Sequence, residues 1–169
     1  MSSYFANIVE QLTSTKVRKF ANELAKPFAQ VPHLPKGIVE FLVMIAPWLV
    51  GLAGVVGAVS GLSLVLNAAG LYSSMWMQFA GFSRAYFLVI GVLELASAGL
   101  LLLAFTPLKE RKMAGWLLLL WNLGLSIAQN TVSVLAGYGM ISMGSLLWVA
   151  LSAVVIAYFL FEMRSQYSK

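Results

Sequence analysis

The chain has no cysteine, a single histidine and little charge, with only 10% of its 169 residues being Asp, Glu, Lys or Arg. Without cysteine there are no disulfides, no thiolate metal sites, no cysteine-ligated iron–sulfur clusters and no thiol redox chemistry. His33 alone cannot give a haem two axial imidazoles, and no second metal ligand is spaced near it. As a proton switch it would need a partner that its sequence neighbourhood does not supply, so it reads as a plain interfacial residue. The first residues, MSSYFANIVEQLTSTKVRK, lack the order of charge, short apolar core and small-residue cleavage site that marks a cleavable signal peptide. Soluble globular domains carry charge on about a quarter of their residues, so the scarcity here excludes that class.

What is present is apolar: 60% of residues, with a mean hydropathy of +0.87. A chain of 18.4 kDa with that share of apolar residues has too little polar surface to cover a water-soluble core. Four apolar runs, at about 38–66, 85–105, 113–136 and 140–161, are each long enough to cross a hydrocarbon layer of about 30 Å. The predicted fold is all-α: an integral membrane four-helix bundle (38–161) behind an N-terminal arm (1–37) and before a polar tail (162–169). Thr106-Pro107 and the charged turn Lys109, Glu110, Arg111, Lys112 are together expected to close the second span, and Gly137-Tyr138-Gly139 forms the turn between the third and fourth. Between the first two spans, the stretch from Asn67 to Arg84 suits an interfacial segment with Tyr72 and Trp76 at headgroup level.

Orientation follows from basic residues, which resist transfer across the membrane. Ten of the eleven (Lys16, Arg18, Lys19, Lys26, Lys36, Lys109, Arg111, Lys112, Arg164 and Lys169) fall in the arm, the second turn and the tail, and Arg84 alone falls opposite. This places both termini in the cytoplasm and suits a bacterial inner membrane. In the arm, Val17, Phe20, Leu24, Phe28 and Val31 recur at helical spacing opposite Lys16, Arg18, Lys19 and Lys26, the pattern of an amphipathic helix lying on the membrane. Pro27 bends or ends that helix. The basic residues are spread over 36 positions without an aromatic stacking platform, so lipid headgroups are the expected partner and nucleic acid is not.

Within the bilayer, Gly51, Gly54, Gly57 and Gly61 form a stripe along the first span, where another helix can approach closely. Packing inside one chain is the first reading of the stripe and a homo-oligomer interface the second. Pro47, one turn earlier, is a candidate kink. Glu94 stands near the middle of the second span, where an ionised carboxylate costs about 3 kcal/mol even on the lenient insertion scale, so it must face protein or water. Asn122 and Ser152 fall within about 3 Å of the same depth at 1.5 Å per residue, which makes a shared hydrogen-bonded cluster geometrically allowed. Ser126, Gln129 and Asn130, with Ser60, Ser63, Asn67, Ser142 and Ser145, lie nearer the other surface and suggest a polar cavity narrowing toward Glu94. Trp48, Trp121 and Trp148 are candidate walls. Glu94, Asn122, Gln129, Ser126, Ser152 and Asn130 are therefore the candidate ligand contacts, with three open roles: holding the bundle together, facing a ligand, or relaying protons.

Residues 89–123, VIGVLELASAGLLLLAFTPLKERKMAGWLLLLWNL, resemble the DoxX-like family of small four-span bacterial membrane proteins. The likeness rests on an L-E-L acid in the second span, a small-residue patch (Ala96, Ser97, Ala98, Gly99), a leucine run, a short basic loop and a third leucine-rich span. The resemblance puts the family's acid on Glu94 and its small patch on Ala98 and Gly99. It implies kinship with subunits of quinone-linked oxidoreductase assemblies. No nucleophile–base pair, metal cluster, phosphate loop or nucleotide motif supports chemistry by this chain alone. The expectation is a non-catalytic membrane subunit or a protein binding a quinone or lipid, with no intrinsic cofactor, joined to a larger membrane complex or to copies of itself. The alternatives are a small transporter or proton-coupled channel using Glu94, and a purely structural accessory subunit of a respiratory or photosynthetic complex.

Overall fold

A computed structural model describes residues 10–71, 83–136 and 143–167. Its main helices are α1 (Thr15–Ala25), α2 (Lys36–Ala68), α3 (Arg84–Lys109), α4 (Met113–Ala136) and α5 (Met143–Met163), with 3-10 turns at Pro27–Gln30 and Arg164–Gln166. Helices α2 to α5 are each long and apolar enough to cross a membrane, and their most apolar windows are only 11–28% buried. Outward-facing side chains such as Trp148 and Leu52, 71% and 65% exposed, would be untenable in water. In lipid they cost nothing, and an all-α bundle that satisfies its backbone internally is the stable solution. The chain is thus an integral membrane protein.

The helices follow the apolar runs and extend past them, α2 from Lys36 to Ala68 and α3 from Arg84 to Lys109. Helix α3 continues through Thr106-Pro107 to Lys109, instead of closing there. The turn beyond it explains why: Glu110, Arg111 and Lys112 donate their N–H groups back to the carbonyls of Thr106, Leu108 and Pro107 at 3.1, 3.0 and 2.8 Å respectively, which satisfies the last carbonyls. Arg111 takes the left-handed position of that motif, φ 55°. The end of α2 is built the same way, with Gly70 at φ 74° and Leu71 N–H donating to Leu66 O at 3.0 Å. Pro47 sits inside α2, which runs on without interruption, whereas Pro27 does end the arm helix and opens a 3-10 turn. Tyr72, Trp76, Gly137, Tyr138, Gly139, Met140 and Ser142 lie outside the described residues.

The most closely packed pair is α2 against α3, antiparallel along the glycine stripe. A Cβ built on Gly51 would meet the Phe105 ring at 2.9 Å, one on Gly54 the Leu102 side chain at 2.9 Å, and one on Gly61 the Leu95 nitrogen at 3.0 Å. In return, Gly91 of α3 admits Leu64 and Val65 of α2. The stripe is therefore filled by a helix of the same chain. At the next turn Gly115 opens α4 so close to α3 that a Cβ would stand 2.6 Å from the Leu108 nitrogen.

The fully buried side chains gather at the end of the bundle that carries the α3–α4 turn: Leu108, Trp116, Leu117, Leu118 and Tyr167. The Trp116 indole N–H donates to the Leu160 carbonyl at 2.6 Å and so fixes α4 to the end of α5. Tyr167 packs there with its hydroxyl buried and unpartnered among the described residues. Burial pushes that phenol's pKa up, while the charge of Arg111 pulls it down.

Candidate functional site

Helices α3 and α4 run antiparallel, and three side-chain pairs cross between them. Tyr86 OH lies 3.3 Å from Ser133 Oγ, Gln129 Nε2 donates to Glu94 Oε2 at 2.9 Å, and Ser97 Oγ donates to Asn122 Oδ1 at 2.6 Å. The sequence produces this seam because 86, 94 and 97 share one face of α3, while 122, 126, 129 and 133 share one face of α4. The other Glu94 oxygen, Oε1, faces α2, 3.3 Å from where a Cβ of Gly57 would stand. The absent side chain at Gly57 leaves room for the carboxyl group between three helices.

Of the six candidate contacts, Glu94 and Gln129 are brought together, and Asn122 and Ser126 meet elsewhere. Asn122 and Ser152 do not join Glu94: Asn122 pairs with Ser97, and the Ser152 hydroxyl donates to the Val149 carbonyl of its own helix at 3.0 Å. Asn130 turns to its own helix as well, donating to the Ser126 carbonyl at 2.8 Å, and Ser63 donates to Val59 O at 3.0 Å. The single cluster expected from depth therefore separates into pairs, because equal depth does not imply facing directions.

Asn122 and Ser126 line a cavity of about 310 Å³ between α2, α3, α4 and α5, whose other walls include Val50, Leu101, Leu119, Ile156 and Phe159. Its wall is apolar except for these two side chains. The Asn122 carbonyl oxygen is taken by Ser97, so the asparagine offers its NH₂ group and the serine its hydroxyl. The tryptophans take other places. Trp48 packs edge-on against Phe105 with the Lys109 ammonium 5.4 Å over its ring, Trp121 donates to the Leu12 carbonyl at 2.9 Å, and Trp148 faces outward.

A second constellation has no precursor in the sequence reading. The carboxyl group of Glu162, at the end of α5 and only 6% exposed, receives His33 Nδ1 at 2.7 Å and the Leu34 N–H at 2.9 Å. Tyr158 OH donates to Pro32 O at 2.7 Å, Phe28 stacks on Phe161 at 4.8 Å, and Arg164 donates to Asn22. The V-P-H-L-P segment is thus a strap binding the arm to the last helix. His33 has the partner that its neighbourhood in sequence lacks. A usable signal was that Glu162 and the His33 segment lie at the same membrane level.

The arm also touches the bundle itself. Ala21 of α1 is fully buried, while Phe20 and Leu24 stand 61% and 38% exposed. Together with Val17 they border an apolar groove of about 440 Å³ against Trp121, Gly124 and Ile127 of α4.

Among the described residues no group of three or more His, Cys, Asp or Glu could hold a metal ion. Compared with protein-family models, with curated proteins and with solved structures, the chain matches none. Fold and site together define a small all-helical, four-span membrane protein with three polar side-chain pairs joining α3 and α4 among the described residues.

Proposed function

We propose that this chain is a non-catalytic membrane protein that binds a small lipophile, of the quinone class, in the cavity between α2 and α5. The observation that carries this reading is the pairing of two hydrogen-bond donors, the Asn122 NH₂ and Ser126 hydroxyl groups, with an otherwise apolar wall around about 310 Å³. That volume lies at the small end of ligand sites, and an apolar wall with a few placed polar groups is their usual composition. The amide NH₂ and the hydroxyl can both donate to a head bearing carbonyl oxygens. Glu94 and Gln129 act beside the cavity as the tie that sets the spacing of α3 and α4. The resemblance of residues 89–123 to the DoxX-like family supports association with a membrane oxidoreductase complex. The charge asymmetry supports a bacterial inner membrane with both termini cytoplasmic.

The test is purification from native membranes in mild detergent, followed by solvent extraction and mass spectrometry. A redox-active, carbonyl-bearing lipophile retained near one per chain, and lost in the double variant Asn122→Leu with Ser126→Ala, supports the reading. Extraction of nothing but bulk phospholipid from a folded wild-type chain refutes it. Proton flux into liposomes that stops with Glu94→Gln favours transport instead. Stable co-isolating proteins with an empty cavity favour a structural subunit.

A further inference from the structure

A cavity borders the strap at the end of the bundle that carries the α3–α4 turn. It measures about 800 Å³ and is bordered by Phe28, Val39, Met113 and Phe161 on its apolar side. Besides the Tyr167 phenol, five titratable side chains border it: His33, Lys36, Glu40, Glu162 and Arg164. Three of the five have partners within the chain, although Arg164 keeps its positive charge because its partners are neutral. Glu162 is held by His33 and the Leu34 N–H, and Arg164 is held by Asn22 and lies 5.2 Å over the Trp116 ring. Lys36 and Glu40 remain, both exposed, and neither takes part in an ion pair among the described residues.

Lys36 and Glu40 stand four residues apart on one face of α2, about 6 Å along its axis. They do not pair with each other, and lysine on the N-terminal side of glutamate is the poorer order for such a pair. Helix α2 begins at Lys36 with Pro35 as its N-cap and no side-chain cap, so its first N–H groups add positive potential beside the lysine. Both charges sit at the start of a membrane span, at headgroup depth. One free cation and one free anion at that spacing, over an apolar floor, complement a zwitterion rather than an anion.

We propose that this cavity binds the phosphoethanolamine headgroup of a membrane phospholipid. The phosphate lies against Lys36 and the start of α2, the ammonium donates to the Glu40 carboxylate, and the upper acyl chain covers Phe28 and Phe161. This site is separate from the lipophile cavity and stands without it. Glu40 selects a primary ammonium because it accepts N–H bonds that a trimethylammonium cannot give.

The experiment uses the purified full chain in detergent with added short-chain phosphatidylethanolamine, phosphatidylcholine or phosphatidylglycerol, read by native mass spectrometry and by thermal unfolding. Phosphatidylethanolamine is expected to bind about tenfold tighter than phosphatidylcholine, the ratio that one ordinary charge-assisted hydrogen bond produces. Glu40→Gln is expected to bring that ratio close to one, and Lys36→Gln to weaken both lipids together. Equal binding of all three lipids overturns the proposal, and so does tighter binding of phosphatidylglycerol, which would mark a plain anion site. If either variant misfolds by far-ultraviolet circular dichroism, the wild-type preference among the three lipids still decides.

Discussion

Replacing glycines by alanine one at a time measures how closely α2, α3 and α4 approach. The cost should follow what the new methyl group meets, not its position in the sequence. At Gly115 it would stand 2.6 Å from a backbone nitrogen and 2.9 Å from the Pro107 carbonyl carbon, neither of which can rotate away. At Gly61 it meets the Leu95 nitrogen at 3.0 Å and the Gly91 oxygen at 3.1 Å, again backbone. Overpacking of this kind costs about 1–3 kcal/mol, with Gly115→Ala at or above the upper end. At Gly51 the obstacle is the Phe105 side chain, which can shift, so the loss should be smaller, and Gly54 falls between because it meets the Leu102 side chain at 2.9 Å and its backbone nitrogen at 3.2 Å. Gly57 meets Glu94 Oε1 at 3.3 Å and Ala98 at 3.4 Å, so a methyl group there must push the carboxyl group slightly aside and the loss should be small. Gly99 meets nothing within 4 Å, and alanine there should stabilise by up to about 1 kcal/mol through helix propensity. Unfolding in mixed micelles of rising dodecyl sulfate fraction, followed by far-ultraviolet circular dichroism, ranks the series. If Gly61→Ala and Gly99→Ala unfold at the same point, the close approach of α2 to α3 is wrong.

Four further outcomes are expected. Tyr167→Phe should leave stability unchanged or raise it by about 1 kcal/mol in the same assay, because its hydroxyl is buried without a partner among the described residues. Arg111→Gly should stabilise by roughly 1 kcal/mol, the cost of a left-handed residue bearing a Cβ, which a matched unfolding curve would reveal. Glu162→Ala strips His33 and the Leu34 N–H of their acceptor, and should speed hydrogen exchange at residue 34 at least tenfold, as loss of one charge-assisted bond of about 1.5 kcal/mol predicts. With no native cysteine to react, Glu110→Cys should label from the cytoplasmic side of sealed vesicles only; labelling from the outer side alone would invert the proposed orientation.

Much of the bundle is legible in the sequence because the bilayer imposes a length and a composition on each span. The third span illustrates this, expected at 113–136 and found as Met113–Ala136. The glycine spacing likewise announces a close neighbour, which proves to be α3. The partners of polar groups are less legible. Depth counting put Asn122, Ser152 and Glu94 on one level, but a helix turns 100° per residue and level says nothing of direction. Asn122 reaches Ser97 and Glu94 reaches Gln129 because those residues face each other across α3 and α4. The His33–Glu162 contact spans 129 positions, so no local pattern carries it.

That strap also sets an order of events during synthesis. The Asn22 side chain, the Pro32 carbonyl, the His33 ring and the Leu34 N–H bond to residues between Tyr158 and Arg164, 126 to 142 positions later in the chain. The strap is made long before α5, yet it must wait unclasped until α5 has been inserted. A chain stalled before α5 keeps the arm's contacts with α4 but lacks this clasp, so the clasp distinguishes a finished molecule from an unfinished one.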